Sequence, residues 1–148
     1  MKAVIQRVKS ASVTIDNELY SSIGQGLLVL YGVEKGDVEE NSRYLCDKIL
    51  KLRIFEDENG KMNLSVKDVQ GEILVVSQFT LAGDTRKGTR PSFDTAMPPK
   101  EANEMYENFV SMMKESGLTV KTGVFGAMMD VALVNDGPVT FILNSPNK

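Results

Sequence analysis

Residues 27–33 read LLVLYGV, an uninterrupted apolar run. Such a run is typical of a central strand that is buried on both faces of a sheet. A second run of the same kind, EILVVSQFTL, covers residues 72–81. Its carboxyl end turns polar at Ser77, Gln78 and Thr80, which places hydroxyl and amide groups at the edge of the predicted core. These two runs therefore predict a sheet in the middle of the chain.

The chain on either side of these runs is predicted to form short strands and two helices. Asp37 opens the first helix, and Glu40, three residues on, completes a capping-box pattern. Pro99 fits the first turn of the second helix, which runs to about Ser116 before Gly117 stops it. The remaining strands are predicted at residues 2–8, 11–15, 19–23, 53–55, 118–122, 131–134 and 139–143.

The order of these elements predicts an α/β fold in a single domain. Hairpins begin and end the chain, the last one turning at residues 135–138 (NDGP), and helical crossovers lie between them. We therefore predict mixed β-sheets packed on each other with helices on one side, in a three-layer, barrel-like arrangement. One domain covers residues 1–148, of which 145–148 are expected to form a flexible tail.

The residue types that the chain lacks exclude several classes of enzyme. Its 148 residues include no histidine, no tryptophan and a single cysteine. A Ser-His-Asp triad, a Cys-His dyad and a histidine-ligated metal site are therefore impossible, and so is a disulfide within the chain. Enzymatic chemistry would have to come from hydroxyls, amides, carboxylates, amines, backbone groups or the substrate itself.

Charge and hydropathy limit the partners and the cellular location that we expect for the protein. The formal net charge of −3 argues against a nucleic-acid binder that relies on bulk positive charge. No apolar run reaches the roughly 18 residues of a transmembrane helix. The first residues lack the apolar core of a secretory signal, so we expect a cytoplasmic protein.

The polar end of the second apolar run is a candidate catalytic element. The hydroxyls of Ser77 and Thr80 could act as nucleophiles, and Gln78 or backbone N–H groups could bind an oxyanion. A hydroxyl nucleophile needs a base, for which Asp84 or Lys87 would have to substitute. The alternative interpretation is a strand end whose hydroxyls cap backbone groups.

Three other segments carry alternative interpretations. The long loop 82–98 has a length typical of functional loops, and its basic part, 86–90 (RKGTR), either grips phosphates or is simply solvated. Residues 135–138 are either a hairpin turn or, with a cis Gly137–Pro138 bond, a rigid pair of carbonyl acceptors. Residues 125–129 (FGAMM) suit a core or a pocket wall.

Five strings occur in order along the chain and together resemble one family. They are MKAVIQRVKSASVTI (1–15), SQFTL (77–81), KGTRPSF (87–93), TGVFGAMM (122–129) and NDGPVTF (135–141). The chain resembles the D-aminoacyl-tRNA deacylases, also called D-tyrosyl-tRNA deacylases, from residue 1 to about residue 143. Tyr31, within the first apolar run, stands where a leucine is usual in that family.

The resemblance implies a homodimeric hydrolase. Such an enzyme would cleave the ester that joins a D-amino acid to the 3′-terminal adenosine of tRNA, and would reject L-aminoacyl-tRNA. If the rejection is a clash with the Cβ of an L-amino acid, we expect glycine, which has no Cβ, to be accepted as well. The expected partners are therefore the 3′ end of an aminoacyl-tRNA and a second copy of the chain, without DNA or a membrane. The resemblance implies no metal ion and no organic cofactor.

The resemblance also implies roles for residues of the pocket. Phe125 and Met129 would bind the substrate. The catalytic part of the pocket would consist of Ser77, Gln78, Phe79 and Thr80.

The implied chiral filter lies elsewhere in the chain. Gly137 and Pro138 match a Gly-cisPro element that each subunit inserts into its partner's pocket, and Arg7 matches the arginine that helps to hold this element. Contacts to tRNA phosphates are expected from the basic loop, at Arg86, Lys87 and Arg90.

Three functional hypotheses remain at this level. In the first, the 2′-hydroxyl of the terminal ribose helps to activate the attacking water, and the protein contributes positioning and backbone hydrogen bonds. In the second, Thr80 is a nucleophile that forms an acyl-enzyme. In the third, the chain is a non-catalytic binding module whose Gly-Pro turn only shapes a dimer interface.

Overall fold

Strand β1 organises the sheet. In the computed structural model, which describes residues 1–146, β1 spans Lys2–Ile15. The other strands are β2 (Glu18–Ile23), β3 (Gly26–Gly32), β4 (Phe55–Glu56), β5 (Met62–Leu64), β6 (Glu72–Ser77), β7 (Val120–Thr122) and β8 (Asp130–Asn144). The helices are α1 (Glu39–Lys51), α2 (Pro99–Lys114) and a short 3-10 helix at Phe79–Ala82. None of the helices within residues 1–146 is long and apolar enough to cross a membrane.

The main sheet is mixed and closes almost into a barrel. Its path runs β2-β1-β3-β6-β7, and β8 pairs with the other edge of β1. The pairs that involve β1 are antiparallel, whereas β6 is parallel to both β3 and β7. The Ser21 hydroxyl donates to the Thr122 carbonyl at 2.7 Å and so joins β2 to β7 at the two ends of the path. The predicted mixed, barrel-like α/β fold of one domain is confirmed.

The alternation of residues along β6 explains its continuous apolar sequence. Ile73 and Val75 pack in the core beneath α1 and α2. Leu74 and Val76 point to the opposite face and pack inside the barrel. A strand that is buried on both faces needs apolar residues at every position, which is what the run predicted.

Tyr31 is accommodated in the core on the helix side of the sheet. Its ring stacks on Phe109 with centroids 4.3 Å apart. Its hydroxyl lies 2.9 Å from the Ser42 hydroxyl, so the polar atom of this buried side chain has a partner. Burial raises the pKa of Tyr31 well above its ordinary value, which keeps the ring neutral in the core.

The first helix begins differently from the prediction. Its N-cap is Val38, whose backbone N–H donates to Asn41 Oδ1 at 2.8 Å. The Asp37 carboxylate is used elsewhere, because it accepts the Glu34 N–H at 2.7 Å and lies 2.9 Å from the Met1 ammonium. The predicted capping box from Asp37 to Glu40 is therefore wrong.

The second apolar run also ends earlier than predicted. Strand β6 stops at Ser77, and the chain turns into the 3-10 helix with Leu81 N–H donating to Gln78 O at 3.2 Å. This turn packs on Gly32, where an added Cβ would lie 2.9 Å from Gln78 O and 3.0 Å from Leu81 Cβ. The glycine thus leaves the space in which the chain can turn.

The predicted hairpin at the end of the chain is absent from the described residues. Both of its predicted strands belong to β8 and pair with β1. Asn135 lies opposite Val8 and Thr140 lies opposite Gln6, so four residues of β8 bulge out opposite Arg7 alone. We call residues 136–139 the bulge. It forms because the long free edge of β1 pairs with the chain on both sides of it.

The end of the chain is bound to its beginning. Ser145 is buried, and its backbone N–H donates to Met1 O at 3.0 Å. The flexible tail was expected over residues 145–148, of which 147 and 148 lie outside the described residues.

Candidate active site

A cavity of about 650 Å³ opens beside the end of β6. Its walls come from the end of β6, the loop before α2, the first turn of α2 and the connection from β7 to β8. The residues that line it are 76–79, Phe93, 96–99, Ala102, 125–129 and Val131. The walls are mostly apolar, with Ser77 and Gln78 as polar groups. A concave, largely apolar site of this size is typical of small-molecule binding.

Among the described residues that line this cavity, none has an ionisable side chain. Hydroxyl, amide, thioether and aromatic groups make up the non-aliphatic part of the walls. A general acid or base from one chain is therefore missing at the walls, although most enzymes that hydrolyse esters use one. Chemistry in this cavity depends on positioning, on backbone dipoles or on groups of the substrate.

Gln78 connects the cavity to the 3-10 helix. Its backbone N–H donates to Tyr31 O at 2.8 Å, which holds it against β3. Its side-chain Nε2 donates to the Thr80 hydroxyl at 2.5 Å. Thr80 is exposed and is not among the residues that line the cavity. The hydrogen-bond partner of the Thr80 hydroxyl is thus an amide, which cannot take up the hydroxyl proton as a general base would.

Two aromatic rings stand together in the cavity wall. Phe79 is 56% exposed, and its ring centroid lies 5.1 Å from that of Phe93 in a tilted arrangement. An added Cβ at Gly83 would lie 3.0 Å from the Phe93 ring, so this glycine leaves space for the pair. Phe93 was not singled out as a site residue, although it ends the string KGTRPSF.

Phe125 and Met129 form the wall on the side of β7. The Phe125 ring lies 6.1 Å from that of Tyr106, whose hydroxyl donates to Val75 O at 2.7 Å. Burial raises the pKa of Tyr106 to about 12, so the hydroxyl stays a donor at neutral pH. The Met129 sulfur accepts from the Val124 N–H at 3.5 Å.

Sequence reasoning missed the part of the wall that precedes and begins α2. Residues 96–99 and Ala102 line the cavity, whereas the sequence pattern predicts only a loop and the beginning of a helix there. The signal that pointed to them was the length of the loop 82–98, which is typical of functional loops. The loop is held in place by the Met97 N–H, which donates to Val33 O at 3.1 Å.

Arg7 and the Gly-Pro dipeptide meet at the bulge. The guanidinium Nε of Arg7 donates to Asp136 O at 2.9 Å, and its Nη1 donates to Ile54 O at 2.8 Å. The Gly137–Pro138 peptide bond is cis, and both residues are exposed. Neither Gly137 nor Pro138 lines the cavity of its own chain. Arg7 and the Gly-Pro dipeptide thus form a group separate from the predicted residues at the cavity.

The basic loop forms a third group. Its base is held by paired hydrogen bonds between Asp84 and Ser92, at 2.7 and 2.9 Å. Arg86 binds the Asp84 carboxylate through two bonds, at 2.9 and 2.7 Å. This contact lowers the pKa of Asp84 to about 2. Lys87 and Arg90 are exposed on the same loop.

The sequence of the chain matches a known family. The family model described as D-Tyr-tRNA(Tyr) deacylase matches residues 4–144. The chain belongs to this family. This match confirms the family that the five sequence strings indicated, and with it the prediction that the protein is a deacylase.

Individual relatives agree with the family. A protein of Geobacter metallireducens named D-aminoacyl-tRNA deacylase is 61% identical, over 99% of this chain and 97% of that protein. One of Thermodesulfovibrio yellowstonii with the same name is 56% identical, over 98% of this chain and 99% of that protein.

Two solved structures share the fold. The first, described as c-Myc DNA Unwinding Element Binding Protein, has a TM-score of 0.94 and 47% identity, covering 99% of this chain and 100% of that one. The second, described as a probable eukaryotic D-amino acid tRNA deacylase, has a TM-score of 0.84 over 97% and 98% of the two chains. At 17% identity, the second comparison supports the fold alone.

Proposed function

We propose that this protein hydrolyses the ester between a D-amino acid, or glycine, and the 3′-terminal adenosine of tRNA. Family membership supports the reaction class. The cavity of about 650 Å³ falls within the range of roughly 300–1,000 Å³ that small-molecule sites occupy, which suits one aminoacyl-adenosine end. Such substrates occur in the cytoplasm, where we expect the protein to act.

The observation that carries the mechanism is the cavity wall without an ionisable side chain. We infer that the 2′-hydroxyl of the terminal ribose, next to the ester, helps to activate the attacking water. The protein holds the ester in place, and positioning alone lowers a barrier substantially. The backbone N–H groups of Phe79 and Thr80 begin the 3-10 helix and make no bond within it. These two groups would bind the developing oxyanion.

The covalent alternative with Thr80 is less well supported. The hydroxyl of a nucleophile must pass its proton to a base. The Thr80 hydroxyl instead accepts a hydrogen bond from the Gln78 amide. Asp84, which could have substituted as a base, is bound to Arg86.

The distribution of apolar residues on β8 supports a homodimer. Ile142 is 72% exposed and Val134 is 52% exposed, on either side of the bulge. Within residues 1–146, β8 pairs only with β1, which leaves its second edge open to another copy of the chain. We propose that the exposed Gly137–Pro138 dipeptide enters the partner's cavity and leaves no room for an L side chain. A third reading, a non-catalytic module, would explain the dimer but not the cavity.

The basic loop is the proposed contact to tRNA phosphates. Lys87 and Arg90 would approach phosphates directly, whereas Arg86 would have to share its guanidinium with Asp84. DNA binding is not carried over from the 47% identical structure, because a net charge of −3 gives no general attraction to a duplex.

The decisive experiment compares matched substrates with the purified protein. D-tyrosyl-tRNA should be hydrolysed and L-tyrosyl-tRNA should not. Glycyl-tRNA should react measurably and L-alanyl-tRNA should not, because glycine has no Cβ that could clash with the Gly-Pro dipeptide. Equal inertness of glycyl- and L-alanyl-tRNA would contradict the steric account, and inertness of D-tyrosyl-tRNA would contradict the proposed function.

A further inference from the structure

The side chain of Asn135 closes the neck of the bulge. Its Oδ1 accepts the Val139 N–H at 2.6 Å. Its Nδ2 donates to the Thr140 hydroxyl at 3.0 Å and to the Val139 carbonyl at 3.3 Å. The amide of Asn135, the last residue before the bulge, therefore binds both Val139, the last residue of the bulge, and Thr140, which follows it.

The bulge has few other bonds that could define its shape. Between Asn135 and Thr140, β8 makes no paired contact with β1. Pro138 has no N–H to donate. At the first end of the bulge, Arg7 Nε donates to Asp136 O at 2.9 Å. At the second end, the hydrogen bonds from Asn135 to Val139 and Thr140 hold the bulge in the same way.

Val139 transmits this constraint to Gly137. Val139, the last residue of the bulge, is 8% exposed. An added Cβ at Gly137 would lie 2.6 Å from Val139 Cγ2 and 3.0 Å from Val139 N. The φ of Gly137 is +144°, a conformation that L side chains rarely adopt. Val139 therefore lies directly against Gly137, where only a glycine fits.

We infer that Asn135 is a positioning residue for substrate selection: it fixes the Gly137–Pro138 dipeptide at one end of the bulge, whereas Arg7 binds the other end. This inference rests on the proposed role of the dipeptide as the filter against L-aminoacyl-tRNA. Asn135 is half-buried and does not line the cavity, so it acts through the bulge rather than on the substrate. A loosened bulge should mainly allow an L side chain to enter the cavity. It should slow the reaction of a D substrate less.

The test measures kcat/KM for D-tyrosyl-tRNA and L-tyrosyl-tRNA with the full-length protein and its variants. Asn135→Ala removes the acceptor and the donor of all three hydrogen bonds, and should lower the D-over-L ratio about tenfold. Asn135→Asp keeps the acceptor for Val139 N–H and should retain part of the ratio. Thr140→Val removes one acceptor and should lower the ratio about twofold.

Asn59→Ala is the control for loss of an asparagine side chain. Asn59 is exposed on the turn between β4 and β5, outside the main sheet, so the ratio should stay at the wild-type value. If Asn135→Ala does not fold, Asn135→Asp and Thr140→Val still test the inference.

Two results would overturn the inference. One is a wild-type ratio in folded Asn135→Ala or Asn135→Asp. The other is an equal loss of activity on both substrates, which indicates a general structural role. A wild-type protein that does not hydrolyse D-tyrosyl-tRNA would instead contradict the proposed function, so the two failures are distinguishable.

Discussion

Arg7 and Asp136 are 129 positions apart in the chain, yet the Arg7 Nε donates to the Asp136 carbonyl at 2.9 Å. The same guanidinium donates through Nη1 to Ile54 O at 2.8 Å, and its side chain is only 6% exposed. The Asp136 carboxylate lies 3.7 Å from Nε and offsets part of the charge. One buried cation thus ties β1, the bulge of β8 and the segment before β4 together.

Replacing Arg7 should destabilise the fold. Arg7→Met leaves two carbonyl groups without their donor, and should lower the free energy of unfolding by about 3 kcal/mol. Urea unfolding followed by circular dichroism measures the loss. Arg43→Met is the control, because Arg43 is 48% exposed in its ion pair with Glu115, and its loss should stay below about 1 kcal/mol. Equal losses for the two variants would contradict the buried role of Arg7.

Removing the Thr80 hydroxyl should not abolish activity. Thr80→Ala should retain kcat within about tenfold of the wild type, because the variant loses a hydrogen bond and not a nucleophile. A substrate that ends in 2′-deoxyadenosine should react at least about a hundredfold more slowly, as expected when an acid–base group is lost. Single-turnover deacylation measures both. A folded, dimeric and inactive Thr80→Ala variant would favour the acyl-enzyme.

An alanine at Gly123 should displace Met129 in the cavity wall. The added Cβ would lie 2.5 Å from Met129 Sδ, so the thioether must move and KM should rise several-fold. Overpacking of this kind also costs about 1–3 kcal/mol of stability. The double variant Gly123→Ala/Met129→Ala should recover part of the stability. Gly24→Ala is the control, since its nearest contact would be an ordinary 3.5 Å. An unchanged KM in Gly123→Ala would show that the wall is adaptable.

The stability of the protein should fall at high pH partly through Tyr106. Its pKa is raised to about 12 by burial, so the unfolded chain loses this proton first as the pH passes 10. The stabilising contribution is complete below pH 10 and is lost between about pH 10 and 12. Tyr106→Phe should be less stable at pH 8 by about 1 kcal/mol, because Val75 O loses its donor. The difference should shrink by pH 11 in urea titrations, and a constant difference would contradict the raised pKa.

A charge on the exposed edge of β8 should separate the proposed dimer. Ile142→Asp should give a monomer in analytical ultracentrifugation and a large loss of activity, because each cavity would lack the partner's dipeptide. At high protein concentration, mass action should restore part of both. Met62→Asp is the control: Met62 is 49% exposed but lies in β5, outside the main sheet. A fully active Ile142→Asp monomer would contradict the shared site.

The amino-acid sequence by itself determined the elements whose signals are local. The uninterrupted apolar runs predicted β3 and β6 because both faces of these strands are buried, and α2 begins at Pro99 as predicted. The absence of histidine excluded the common hydrolytic triads before any fold was known. The five ordered strings identified the family, which the family model confirms over residues 4–144.

Only the tertiary structure decided which partners these elements find. Residues 135–138 carry the signals of a hairpin turn, but the chain on both sides of them pairs with β1, so the turn becomes part of a bulge. Asp37 has the chemistry of a helix cap but binds the Met1 ammonium instead. In both cases the local preference, for a turn or for a helix cap, is worth about 1 kcal/mol. The pairing of β8 with β1 and the ion pair with the Met1 ammonium each contribute more. Long-range contacts of this kind leave no local trace in the sequence, and they alone place the Gly-Pro dipeptide outside its own cavity.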